Sequence, residues 1–80
     1  MITVELVVPI LNETIDFRLD ENTKVGVLTM QMEQLILQKK HMTSDGQPKY
    51  LYAFETEKIL EPEKTLRQQE IQNGEQLILL

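Results

Sequence analysis

The strongest constraint lies at the start of the chain, where two short stretches alternate apolar and polar residues on either side of a turn. Ile2-Thr3-Val4-Glu5-Leu6-Val7-Val8 puts Ile2, Val4, Leu6 and Val8 on one side of an extended backbone. Thr14-Ile15-Asp16-Phe17-Arg18-Leu19 does the same with Ile15, Phe17 and Leu19. Successive side chains of a strand point to opposite faces, so each stretch has one face that needs cover. Pro9 has no amide hydrogen for a sheet ladder and ends the first stretch. Pro9-Ile10-Leu11-Asn12-Glu13 is a turn of hairpin length. An antiparallel hairpin with one apolar face is therefore expected.

The cover follows at once. Asp20-Glu21-Asn22-Thr23 is a cluster of helix N-cap residues, and its acidic groups suit the positive end of a helix dipole. A helix is expected from Lys24 to Lys40. At the helical period Val25, Leu28, Met32, Leu35 and Ile36 fall on one side, toward the core. Met30 and Leu37 point away from it, with Val27 nearby, and form a candidate second surface for a partner or for self-association. Lys39-Lys40 occupy the last turn, where positive charge is favoured. Gly26 in the first turn costs about 1 kcal/mol relative to Ala, and close packing is the one reason the residues suggest for it.

The second half supplies further strands. Thr43-Ser44-Asp45-Gly46-Gln47-Pro48 is a loop, followed by a strand from Lys49 to Glu55, a turn at Thr56-Glu57 and a short strand over Lys58-Ile59-Leu60 that Pro62 closes. Lys64 to Ile71 reads as a one-turn connector that drops Leu66 and Ile71 into the core. Asn73-Gly74 is a turn, and Glu75 to Leu80 is the last strand, with Leu77 and Leu79 inward. The hairpin, the helix and the last strand must share one core. Placing the last strand parallel to the first gives a mixed sheet of order 2-1-5-3-4 with the helix across one face. That is an α+β fold of the β-grasp type, one domain over residues 1–80.

The segment Lys58-Ile59-Leu60-Glu61-Pro62-Glu63-Lys64-Thr65-Leu66, followed by Ile71-Gln72-Asn73-Gly74-Glu75-Gln76-Leu77-Ile78-Leu79, resembles the ubiquitin superfamily. Within it the chain is most similar to the short YukD-like proteins of bacterial type VII (WXG100) secretion loci, whose closing pattern stands here as Ile71, Gly74, Glu75, Leu77 and Leu80. The resemblance implies a ubiquitin-like β-grasp that binds proteins as an accessory or regulatory part of that secretion system. Ubiquitin and the sulfur carriers of this fold end in a flexible Gly-Gly tail whose carboxylate is adenylated. This chain stops at Leu79-Leu80 inside the expected strand, so a non-conjugated protein is expected. The rival expectation is a sulfur carrier or protein modifier working with an adenylating enzyme.

Residue chemistry sets other expectations. The 80 residues include no cysteine, which excludes disulfides, thiolate nucleophiles and Cys-type zinc or iron–sulfur sites. His41 is the single histidine, too little for a triad, and a helix C-terminus favours it through the dipole alone. Glu55, Glu57, Glu61 and Glu63 lack the pattern of a calcium loop and read as a solvated edge. Gly26, Gly46 and Gly74 are isolated and make no phosphate cradle. Asn12-Glu13-Thr14 matches a glycosylation sequon but reads as a hairpin turn. No enzymatic activity, cofactor or metal is expected. Thirteen acidic against eight basic residues give a formal charge of −5, unlike a nucleic-acid or anionic-lipid binder. No apolar run approaches the ~18 residues of a membrane span. Met1 begins a segment without the basic region of a signal peptide, so a complete, cytoplasmic chain is expected, monomeric or weakly homo-oligomeric.

Tyr50, Tyr52 and Phe54 share one face of the third strand, and Leu51 and Ala53 the other. A one-residue slip exchanges the faces. Hydrophobicity alone turns the aromatics inward. The ubiquitin pattern instead turns Leu51 and Ala53 inward and leaves Tyr52 and Phe54 on the open face, beside Ile78 and extended by Val7. The resemblance makes that face the expected protein-binding surface, an exposed apolar cluster of the kind that marks an interaction site.

Overall fold

In the computed structural model, which describes residues 1–80, strand β1 (Ile2–Val8) and strand β2 (Glu13–Leu19) form the antiparallel hairpin. Pro9–Leu11 make a single 3₁₀ turn between them, closed by Asn12 in the left-handed region at φ 52°. Val4, Leu6, Val8 and Leu19 are buried, while Ile2, Ile15 and Phe17 pack half-buried against them. The alternation thus faces as expected.

Helix α1 (Val25–Lys40) buries Val25, Leu28, Thr29, Met32 and Ile36. Two expectations for it are corrected. Leu35, expected in the core, is 57% exposed, and Thr29 is buried instead. Thr29 can be buried because its hydroxyl donates to the Val25 carbonyl at 2.7 Å. Leu37, expected to point away, is half-buried and lines an apolar groove.

The helix start also differs. Lys24 is the cap residue, and no side chain of the Asp20–Thr23 cluster caps the helix. Two first-turn amides are satisfied from across the fold: Val25 N–H donates to the Lys64 carbonyl (2.8 Å) and Gly26 N–H to the Pro62 carbonyl (2.9 Å). Asp20 instead closes a local turn by accepting from the Asn22 amide, and Asn22 Oδ1 accepts from Arg67 Nε at 2.9 Å. Gly26 now has its reason, since a Cβ there would lie 3.2 Å from Pro62 Cβ and 3.3 Å from Pro62 O. At the other end His41 is the left-handed cap, and Met42 N–H donates back to the Leu37 carbonyl at 2.9 Å.

Strands β3 (Leu51–Ala53), β4 (Lys58–Ile59) and β5 (Gln76–Leu79) are shorter than expected at their ends. The ladder continues beyond β5, since Leu80 N–H donates to the Tyr50 carbonyl at 2.9 Å. The five strands stand in the order β2-β1-β5-β3-β4, with β5 parallel to β1 and antiparallel to β3. Leu66 and Ile71 of the connector are buried, and Leu77 is fully buried with Leu79 packed beside it. Fourteen apolar residues between sheet and helix form one core.

Candidate functional site

The helix covers one face of the sheet and leaves the other open, so the outward residues of five strands decide what that face can do. Leu51 and Ala53 are fully buried. This turns Tyr50, Tyr52 and Phe54 outward and settles the two readings of β3. Register then aligns the outward residues into rungs. Val7 pairs with Thr14 on one side and Ile78 on the other; Ile78 pairs with Tyr52, and Tyr52 with Ile59. Val7, Ile78, Tyr52 and Ile59 therefore make one unbroken apolar rung across four strands. Cross-strand neighbours on one face are in side-chain contact range.

The rungs on either side differ in character. On one side Leu80 lies opposite Tyr50, extending the apolar surface. On the other, Phe54 lies opposite Gln76, next to Glu5 and Asp16. Ile78 thus opposes Tyr52, and Phe54 is one rung away from the position expected for it beside Ile78. Phe54 packs edge-on against Tyr52, ring centroids 6.0 Å apart at 80°, a favourable arrangement of the two ring quadrupoles. Gln76 Nε2 donates to Glu5 Oε1 at 3.0 Å, which holds the acidic rim in place.

All four residues expected at the site, Val7, Tyr52, Phe54 and Ile78, share this face. Tyr52, Ile78 and Val7 are half-buried by their neighbours, whereas Phe54 is 43% and Ile59 57% exposed. Ile59 was missed from sequence because its strand has two residues and shows no alternation. The β3–β4 register places it on the rung.

A second apolar concavity, about 250 Å³, lies between the end of α1 and the β1–β2 turn, lined among others by Ile10, Leu37, Met42 and Leu79. Its rim is electrostatically organised. Lys49 Nζ reaches Asp45 at 2.7 Å and Glu33 of α1 at 3.5 Å. The hydrogen bond from Lys49 holds the Asp45 carboxyl below its ordinary range, and the same bond raises Lys49. On the opposite edge of the sheet from β4, Lys40 pairs with Glu13. The Glu21 carboxylate is lowered by its hydrogen bond to the N-terminal ammonium, 2.8 Å away. His41 is exposed, and no three His, Asp or Glu side chains are grouped to hold a metal ion. No helix is long and apolar enough to cross a membrane.

Comparison with solved structures decides the architecture. The chain is similar to the N-terminal ubiquitin-like domain of the 4931431F19Rik protein, with TM-score 0.71 and 26% identity over 99% of this chain and 72% of that one. It is similar to the EccD5 ubiquitin-like domain from Mycobacterium xenopi, with TM-score 0.78 and 19% identity over 99% and 91%. This is the ubiquitin-like fold. A Caldiarchaeum subterraneum ubiquitin also superposes, with TM-score 0.69 and 15% identity over 98% and 89%. No protein-family model and no curated protein matches the sequence. The ubiquitin-like frame thus comes with an open face whose centre is apolar and whose flank is acidic.

Proposed function

We propose that this ubiquitin-like domain is a non-enzymatic, non-conjugated docking module, and that its open sheet face buries against a protein partner. The observation that carries the reading is the continuous rung Val7-Ile78-Tyr52-Ile59, with Phe54 stacked on Tyr52. Contiguous apolar surface on a small domain is costly in water unless something covers it. Aromatic residues at the centre of such a patch supply most of the binding energy. The flank of Glu5 and Asp16 adds selectivity for a partner with basic groups beside its apolar centre.

The partner class follows from the likeness to YukD-like chains and is supported by the EccD5 neighbour. In this reading the domain is an accessory or regulatory component of a bacterial type VII secretion system, in the cytoplasm, and meets the membrane only through its partner. The test is recovery of partners from the native cytoplasm by the wild-type domain and by Tyr52→Ala/Phe54→Ala/Ile78→Ala. Secretion-apparatus proteins should come down with the wild type and be lost with a triple variant that still folds. Unchanged recovery by that variant dismisses the sheet face. Recovery of unrelated proteins alone dismisses the secretion role.

A further inference from the structure

The two edges of the sheet are finished differently. β4 ends one side with two residues, one of them Lys58, a blunt edge of the kind that discourages further pairing. β2 ends the other with seven, all paired to β1 without a bulge, and with no proline or lysine among them. Its ladder to β1 uses alternate residues. Glu5 N–H donates to the Glu75 carbonyl and the Thr3 carbonyl accepts from Gly74 N–H, so both residues turn their main chain toward β5 and away from β2. Their partners on β2, Asp16 and Arg18, therefore turn their own main-chain groups to the free edge. The Asp16 and Arg18 side chains are exposed on the open face, and neither has an ion-pair partner within the chain. On the helix side of the same edge, Ile15 and Phe17 are half-buried. Glu33 reaches Lys49 on the β3 flank of α1, so Leu35, on the opposite flank and 57% exposed, lies toward β2.

We propose that β2 is a self-pairing edge, at which two copies join β2 to β2, antiparallel about a two-fold axis, into one continuous sheet. Free amides and carbonyls along a strand are completed by another extended main chain, and the charges of β2 select its own copy. In the register that sets Asp16 opposite Arg18 of the second copy, the two-fold axis sets Arg18 opposite its Asp16. These are the residues whose main-chain groups face the seam, so each pair exchanges both of its N–H···O bonds while its side chains meet as opposite charges. Phe17 then stands on the axis against Phe17 of the second copy, within reach for an aromatic pair, and Ile15 stands opposite Leu19. Sliding by two residues, the smallest step that keeps both faces in line, sets Asp16 against Asp16 in one direction and Arg18 against Arg18 in the other. Like charges directly opposite disfavour both registers.

Main-chain hydrogen bonds carry the affinity of such a contact, so it does not depend on a broad apolar area. The seam is narrow and the dimer is transient. Joining the sheets edge to edge puts both helices on one side, with Leu35 of each toward the seam, and both open faces on the other. With the docking face in use, two rungs of Val7, Ile78, Tyr52 and Ile59 then lie on one surface. The pair gains avidity for a partner that presents its own site more than once.

Sedimentation equilibrium up to about 1 mM protein, with amide hydrogen exchange over the same range, tests this. The wild type should show a monomer–dimer equilibrium. Exchange at the Asp16 and Arg18 amides should slow about twofold or more as concentration rises, while the loop amides of Ser44 and Asp45 should not respond. Asp16→Arg and Arg18→Asp each set like charges across the seam, and each should weaken association about tenfold or more. The double reversal Asp16→Arg/Arg18→Asp should restore it, and so should mixing the two single variants, which then pair with each other. Tyr52→Ala/Ile78→Ala should leave it unchanged. A chain that stays monomeric throughout overturns the proposal, as does an equilibrium that ignores the charge reversals or leaves the Asp16 and Arg18 amides unprotected. So does one abolished by the sheet-face variant, which would place the contact on the open sheet. Edge amides that slow only when the partner recovered from the cytoplasm is added would give the edge to a foreign strand, and that too overturns it.

Discussion

Gly26 shows how one residue joins two parts of the chain that are far apart in sequence. Its amide hydrogen-bonds Pro62, and the missing methyl lets the Pro62 ring and carbonyl approach the first turn of the helix. In an open helix Gly→Ala would gain about 1 kcal/mol. Here Gly26→Ala should instead destabilise by about 1 kcal/mol, because the added Cβ meets backbone and ring atoms that are themselves hydrogen-bonded in place. Urea unfolding checks the sign. Lys49 and Asp45 give a second residue-scale prediction. The depressed Asp45 stabilises the fold above its ordinary carboxylate range, and that contribution is lost as pH falls through its lower folded value. The raised Lys49 stabilises below its ordinary range and loses its contribution as pH climbs through its higher folded value. Asp45→Asn should therefore lower stability slightly at neutral pH, converge with the wild type at acid pH and so flatten the acid limb of the profile, as followed by thermal unfolding across pH. Leu35 and Thr29 mark where residue-level reading fails. Thr29 lies nearer the middle of the buried arc than Leu35, and a hydroxyl that can bond back to its own helix is admitted where hydrophobicity alone would not place it.

Among the elements, β3 decides what the open face is. Its two inward residues are Leu51 and Ala53, and its larger aromatics are left outside. Apolar character alone ranks these faces the wrong way round, because it scores total side-chain size and not the room beneath the helix. The residues of the strand left both faces open, only the resemblance to the ubiquitin pattern turned Leu51 and Ala53 inward, and their full burial decides it. An inversion of mutational cost follows. Ala53→Leu should destabilise by about 1–3 kcal/mol through overpacking, while Tyr52→Leu on the outer face should cost less than about 1 kcal/mol. Equal urea midpoints for the two variants would contradict the assignment of faces. The hairpin was legible because alternation and Pro9 mark both strands and their turn. The helix start was not, since its first amides are satisfied by carbonyls of Pro62 and Lys64, and no local pattern encodes a partner so distant in sequence. Ile59 escaped for a related reason: its place on the rung is set by pairing with Tyr52.

At the level of the whole molecule, strand order was readable because β1 needs a second neighbour and the last apolar segment is the one left to supply it. Inserting β5 there joins the two hairpins into a single sheet. The same insertion creates the apolar rung, for Ile78 is the link between Val7 and Tyr52. Fold and candidate site are thus consequences of one strand placement. The molecule then has two exposed surfaces of different chemistry on opposite sides of one core. The sheet face is apolar with an acidic flank, and the helix face is nearly uncharged.

A photo-crosslinking residue placed in living cells at Ile59, and separately at Gln34, distinguishes these surfaces directly. The docking account predicts that Ile59 captures a different protein as a discrete adduct, that the adduct disappears with Tyr52→Ala/Ile78→Ala, and that Gln34, on the outward side of α1, does not capture that protein. A heterologous adduct at Gln34 with none at Ile59 would contradict it.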